Sequence, residues 1–284
     1  MSEIITGADG QLGRALQEQF PDAHALTRDD LDISDPEAVR AFDFSEVKTI
    51  INAAAYTQVD EAETPDGTIA AFNVNSQGTA NLAAIANDRE LTLLHVSTDY
   101  VFDGNKDTPY DENDPISPLS VYGRSKAAGE LAAQTATHHY IVRTSWVIGD
   151  GNNFARTMLS LAERGIDPAV VDDQIGRPSF TVDLARAVEH LVMNSPEPGI
   201  YHCSNGGKPT SFADFARAIF ETSGHDSARV SGTSTADYFA DKPQAAARPL
   251  NSVFSLDKIT ETGYEPRDWR DALEEYVQHE ANRA

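Results

Sequence analysis

The chain has 284 residues, with 45 Asp and Glu against 22 Lys and Arg, and a formal net charge of -23 at pH 7. That length can bury a substantial core as one large domain or two closely joined ones, and the charge argues against a nucleic-acid partner, which calls for a basic face. The single cysteine, Cys203, excludes an intramolecular disulfide or a Cys-rich metal site, and no apolar run approaches the ~20 residues that span a bilayer.

Residues 3–6 read as a short first strand that runs into a glycine-rich stretch and then a helix to position 20. A weaker second strand ends near Leu26. Ser34-Asp35-Pro36-Glu37 reads as a helix start, with Pro near N1 and Glu at the N3 place of a capping box. Residues 47–55 are an apolar run with the bulk of a buried parallel strand. Helical periodicity covers 70–87, 91–97 reads as another buried strand, 125–136 continues a helix, and 140–147 is again a strand. His138 and His139 read as a helix-end cap or a solvated pair. Beyond Ile148 the pattern loosens into helices at 152–164, 181–194 and 212–221, short strands at 170–171 and 199–203, and a final helix from Trp269. Strands alternating with helices at this spacing predict an α/β fold, a doubly wound sheet with a parallel core.

Gly7, Gly10 and Gly13 follow a strand and open a helix, the context in which a dinucleotide fingerprint operates. Glycine permits the tight turn and lets backbone N–H groups, including those of Gln11 and Leu12, approach a pyrophosphate at the helix N-terminus. No acidic residue ends the second strand to take a ribose 2′-hydroxyl. Arg28 stands there instead and favours NADPH over NADH, without excluding NADH. Asp32 and Ile33 lie where a side chain and a backbone amide can bracket an adenine.

Tyr122 and Lys126 are four residues apart and share a helix face. There an ammonium can lower the phenol's pKa, so that the tyrosine exchanges a proton with a carbonyl or alcohol oxygen. The Thr98 hydroxyl, at a strand end, would complete the triad. The eight histidines show no ligand spacing, and no metal site is assigned. The chain enters a strand at once rather than a signal peptide. Six lysines against sixteen arginines, with acidity spread along the whole length, fit a halophilic, cytoplasmic protein whose carboxylates keep its surface hydrated in salt.

With Gly10-Gln-Leu-Gly13, Asn52-Ala-Ala-Ala-Tyr56-Thr57, His95-Val-Ser-Thr-Asp-Tyr-Val-Phe-Asp-Gly104, Pro118-Leu-Ser-Val-Tyr-Gly123 and Arg143-Thr-Ser-Trp-Val147, the chain resembles the extended short-chain dehydrogenase/reductase superfamily. Within it the chain is similar, nearly end to end, to the dTDP-4-dehydrorhamnose reductase family. The resemblance implies a Rossmann-like NAD(P)-binding domain at 1–147, to which a segment of about 170–204 returns, and a smaller substrate-binding lobe at 148–284. It implies hydride transfer from NADPH or NADH to C4 of dTDP-4-dehydro-β-L-rhamnose, with Tyr122 as proton donor, Lys126 lowering the tyrosine's pKa, and Thr98 holding the keto oxygen. It also implies cofactor contacts at Ala53, Ala54, Tyr56 and Asn75, and substrate contacts at Tyr100, Trp146, Asn153 and Arg248. A homodimer is compatible with it.

A sugar-nucleotide 4,6-dehydratase would need Asp-Glu after the threonine, and here Asp99 is followed by Tyr100. Two alternatives stay open: a reductase of a related 4-keto nucleotide sugar, and a non-catalytic NADP-binding subunit similar to that of methionine adenosyltransferases.

Overall fold

The computed structural model describes residues 3–283. The chain begins with β1 (Glu3–Thr6), α1 (Gln11–Gln19), β2 (His24–Leu26), α2 (Pro36–Ala41) and β3 (Thr49–Asn52). Helices α3 (Pro65–Phe72) and α4 (Thr79–Arg89) are joined by a π-helical segment, Asn73–Gly78. Then come β4 (Thr92–Thr98), α5 (Val121–Ala133) and β5 (His138–Thr144). The next stretch holds β6 (Val147–Ile148), α6 (Phe154–Glu163), β7 (Ala169–Val171), β8 (Ile175–Gly176) and β9 (Ser179–Phe180). It is followed by α7 (Thr181–Asn194), β10 (Gly199–His202), β11 (Thr210–Ser211) and α8 (Phe212–Thr222). The chain ends with β12 (Ser231–Thr233), α9 (Thr235–Tyr238), α10 (Asp257–Glu261) and α11 (Trp269–Ala281).

One six-stranded parallel sheet, ordered β10-β5-β4-β3-β1-β2, forms the centre. Its middle strands are covered on both faces. Ile50, Ile51, Leu93 and Leu94 are therefore fully buried, and these strands read as unbroken apolar runs. From β1 the chain moves outward to β2 and then crosses to the other side for β3, so the strand order reverses between β1 and β3. A crevice opens beyond the carboxyl ends of strands at such a reversal, and ligands of open α/β sheets bind there.

Leu12, Ala15 and Leu16 of α1 pack against Leu184, Ala187, Val188 and Leu191 of α7 under one face of the sheet. A second core, built by α6, α8 and α11 around Phe215, Phe220 and Trp269, makes the smaller lobe. Short ladders of β6 with β9, β7 with β12 and β8 with β11 frame that lobe. The strand near 170 stays in the lobe, paired with β12. Helix α7 and β10 return to the large sheet, where β10 pairs with β5, before the chain goes back to the lobe.

Several local readings change. Asp35, not Ser34, caps α2, accepting from the Glu37 and Ala38 amides, so Pro36 takes N1 and Glu37 is one position short of a capping box. The Ser34 hydroxyl donates to Asp32 instead. His138 and His139 are the first two residues of β5, opposite Thr92 and Leu93, because α5 stops at Ala133 and leaves β4 with backbone partners to fill. The same strand ends at Thr144. Trp146 is left-handed (φ 46°), and Val147 turns away to pair with Ser179.

Candidate active site

The turn after β1 is built for close backbone approach. Gly7 has φ 73°, and a Cβ on it would lie 2.6 Å from the Ala54 backbone. A Cβ on Gly13 would lie 2.1 Å from the Gly7 carbonyl oxygen. No side chain caps α1, whose N-cap is Gly10, so the amides of its first turn are free for a ligand. Ala53 and Ala54, past the end of β3, complete the wall of the crevice. This bare, glycine-lined cradle fits a dinucleotide pyrophosphate. Gln11 ties it to the lobe, accepting from the Gly149 amide at 3.1 Å and donating to the Asn152 carbonyl at 3.3 Å.

Tyr122 enters from the first turn of α5, where Ser120 accepts from the Gly123 amide and fixes the helix start. Its ring meets Tyr100 edge-on at 5.4 Å, in an apolar cluster with Ala62, Ala71 and Tyr56. Burial pushes the phenol up to about 12, while the neighbouring Thr98 hydroxyl acts in the opposite direction. The Thr98 hydroxyl donates to Asp99 at 2.9 Å. The Asp99 carboxyl is buried, pushed up to about 6 by desolvation, and also accepts from Ser252 at 2.5 Å. A carbonyl oxygen placed beside Thr98 and Tyr122 would meet two hydroxyls.

The expected lowering of the phenol by Lys126 is not met. Lys126 shares the helix face, yet its Nζ reaches past Tyr122 to the Val96 carbonyl at 2.6 Å and His95 Nε2 at 3.3 Å. Burial lowers this lysine to about 8, with Glu130 acting the other way. Four residues on, Glu130 accepts from Ser97 at 2.6 Å and from Arg143 at 2.9 and 2.7 Å, all buried. Asn75, presented by the π segment, accepts from the Tyr56 amide at 2.8 Å and donates to its carbonyl at 3.1 Å and to Ser125 Oγ at 2.9 Å. That segment thereby fixes the chain beside the tyrosine, as single π turns often do at functional sites. His95, Asp99 and Glu130 were not assigned from the sequence. A polar side chain inside an apolar strand run, as in Leu93-Leu94-His95-Val96-Ser97, is the signal that marks the first of them.

The remaining residues divide. Trp146 is half-buried and stacks on Phe212 at 3.7 Å above Gly176. Arg248 makes two 2.9 Å bonds to the Asp60 carboxylate and lies over the Phe239 ring, near enough to Tyr100 to act on its phenol. Asn153 is committed elsewhere: it caps α6 through the Arg156 amide and donates to Gly149 O and Tyr276 Oη. Arg28 and Asp32 pair with each other at 3.2 Å on the surface, and Ile33 packs into the core beside Gly78.

A parallel sheet with a glycine-lined turn at its switch point, and a Tyr-x-x-x-Lys helix beside it, define a dinucleotide-binding protein of the short-chain dehydrogenase/reductase class. Residues 1–282 match the family described as RmlD substrate binding domain, and the chain belongs to that family. It is 42% identical to dTDP-4-dehydrorhamnose reductase of Mycolicibacterium smegmatis over 96% of this chain and 84% of that one. It is 41% identical to dTDP-4-keto-6-deoxy-D-glucose reductase of Streptomyces niveus over 95% of this chain and 94% of that one. Among solved structures, dTDP-4-dehydrorhamnose reductase of Bacillus anthracis in complex with NADP superposes with a TM-score of 0.90. It is 36% identical and covers 98% of this chain and 100% of its own.

Proposed function

We propose that this chain is an NAD(P)H-dependent reductase converting dTDP-4-dehydro-β-L-rhamnose to dTDP-L-rhamnose. The observation that carries the reading is the Thr98–Tyr122 hydroxyl pair at the crevice, in a chain similar over nearly its whole length to reductases of that description. The nicotinamide, when bound, supplies a hydride to C4. Tyr122 then gives its proton to the C4 oxygen, and Thr98 holds that oxygen once its hydroxyl turns from Asp99 to donate to it. With the phenol at about 12, Tyr122 keeps that proton across the neutral range and acts as an acid toward the far more basic alkoxide. Gly7 and Gly10 shape the turn, the Gly10 amide donating to the Gly7 carbonyl, and Gln11, Leu12 and Gly13 offer backbone amides to the pyrophosphate. Ala53, Ala54 and Tyr56 line the nicotinamide side, Asn75 supports them from behind by holding Tyr56, and Lys126 supports the reacting end. Tyr100 and Trp146 present rings to the sugar. Arg248 serves the diphosphate if it exchanges Asp60 for it.

The test is NADPH absorbance in concentrated KCl, with dTDP-4-dehydrorhamnose generated in situ. Enzyme-dependent oxidation yielding dTDP-rhamnose is the expected result. Oxidation only with dTDP-4-keto-6-deoxy-D-glucose would favour the second reading, which the Streptomyces relative supports at nearly the same identity. Binding without oxidation of either would leave a non-catalytic NADP-binding subunit. Arg28 is a cation placed for a 2′-phosphate and pairs with Asp32 at the surface. Arg28→Ala is expected to raise KM for NADPH by about 10-fold and leave KM for NADH unchanged. Equal KM values for NADPH in the two proteins would remove Arg28 from the cofactor site.

We further infer that residues 1–147, with α7 and β10, form the nucleotide-binding part and that most of the rest forms the substrate lobe. The reading places the protein in a salt-rich cytoplasm, in keeping with its charge of -23, and admits a homodimer. No helix among the described residues is long and apolar enough to cross a membrane.

A further inference from the structure

Thr6, Asn52 and His95 stand in register on adjacent strands β1, β3 and β4. All three are buried, and their side chains form one line across the sheet. The Thr6 hydroxyl donates to Asn52 Oδ1 at 2.8 Å, and Asn52 Nδ2 lies 3.0 Å from His95 Nδ1. His95 Nε2 lies 3.3 Å from Lys126 Nζ. The orientation of the Asn52 amide is not free. The Ala54 backbone N–H also points at Oδ1, at 3.2 Å, and a backbone N–H can only donate. Asn52 Nδ2 therefore faces the ring, His95 Nδ1 must accept, and a neutral imidazole then carries its proton on Nε2. The ring is neutral, because full burial and the neighbouring lysine both disfavour the imidazolium.

That N–H points at the lysine nitrogen. An ammonium has only donors, so it meets the Nε2–H as donor against donor. A neutral amine accepts from Nε2–H and still donates to the Val96 carbonyl. We propose that His95 is a positioning residue for the reaction: fixed by Asn52 in its Nε2–H tautomer, it offers Lys126 a donor and so favours the amine over the ammonium. This rests on the reading of Lys126 as part of the reductase site. Opposing it is Glu130, one turn along α5, whose charge is shared with Arg143 from β5 and Ser97 from β4. Other ionisable groups around α5 among the described residues include Tyr122 and Arg124 on the helix itself, Tyr100 and Tyr56 packed against Tyr122, Asp99 beside Thr98, and Glu63, which accepts from the Val121 amide. A lysine balanced in this way carries both forms near neutral pH, as a group that gives and regains a proton requires.

Imidazole ¹⁵N spectra of the protein, with neither nucleotide nor sugar, read the tautomer directly. The expected result is a neutral ring protonated on Nε2 through the neutral range, and an Nδ1–H ring would overturn the proposal. Asn52→Asp keeps acceptors for Ala54 and Thr6 and also accepts from His95 Nδ1–H, which turns Nε2 into an acceptor toward the lysine. In that variant the ¹³Cε titration of Lys126, assigned by its loss in Lys126→Met, is expected to move up by about one pH unit or more. The same shift is expected in the pH profile of kcat. A midpoint common to both proteins would reduce His95 to a packing group. If Asn52→Asp does not fold, the wild-type spectra still decide. Because they need no turnover, failure of the substrate assignment would appear in the NADPH assay and leave them unchanged.

Discussion

Replacing Tyr122 by phenylalanine is expected to lower kcat by about 10²–10⁴-fold, the usual contribution of a positioned general acid, with dinucleotide binding largely retained. The ring would stay in its cluster with Tyr100, Tyr56, Ala62 and Ala71, so the variant removes one hydroxyl and little packing. Thr98 would keep Asp99 as its partner, so the strand end should hold its shape. NADPH absorbance gives kcat, and quenching of tryptophan fluorescence by added nucleotide gives affinity. Wild-type turnover would remove Tyr122 from proton transfer. Asp99, buried and raised to about 6, would then be the next acid to test.

The largest loss of stability is expected from Arg143→Met. Arg143 and Glu130 are both nearly inaccessible to solvent, and the guanidinium holds both carboxylate oxygens. It also lies 5.0 Å from the Phe102 ring and 3.4 Å from His202 Nε2. Removing one member of a buried pair strands the other charge, at a cost of about 3–5 kcal/mol. Removing both is far milder, since an apolar replacement of similar volume is often neutral. The denaturant midpoint should therefore fall sharply in Arg143→Met and recover most of its value in Glu130→Met/Arg143→Met. A single variant as stable as wild type would mean that Glu130 is uncharged without its partner.

Much of this architecture was legible because it follows from local chemistry. The glycine turn, the buried apolar strands and the Tyr-x-x-x-Lys face each depend on spacing alone, and helix α7 has the 181–194 bounds that its periodicity predicts. What escaped depends on tertiary contact. The direction in which Lys126 acts is set by where its long side chain finds a carbonyl, and the phenol's pKa by how completely its ring is covered. The π segment inside the helical stretch from Pro65 to Arg89 leaves no periodic trace, since one widened turn only shifts the phase. The two-residue ladders of the lobe are shorter than any alternation that could announce them. Position marks Arg28 and Asp32, and the resemblance marks Asn153, as ligand contacts, but neither shows the partners they hold in the folded chain. The structure has each of them bonded to a protein neighbour.

The late return of the chain to its first sheet also governs how the protein must be made. Strand β5 ends at Thr144, but the strand that pairs with its outer edge spans Gly199–His202. The apolar face of α1 waits for α7, and the core they share is closed further by Ile259 of α10. As the polypeptide leaves the ribosome, the first five strands emerge with an open edge and an uncovered helix until the chain has grown from Thr144 through α7 to His202. An open edge is a template for pairing with another chain, and contacts this distant in sequence form slowly. The nascent protein is therefore most exposed to aggregation while the stretch between β5 and β10 is being synthesised. The dense negative charge, already present on the early segments, keeps such intermediates apart by repulsion before any pocket exists for it to serve.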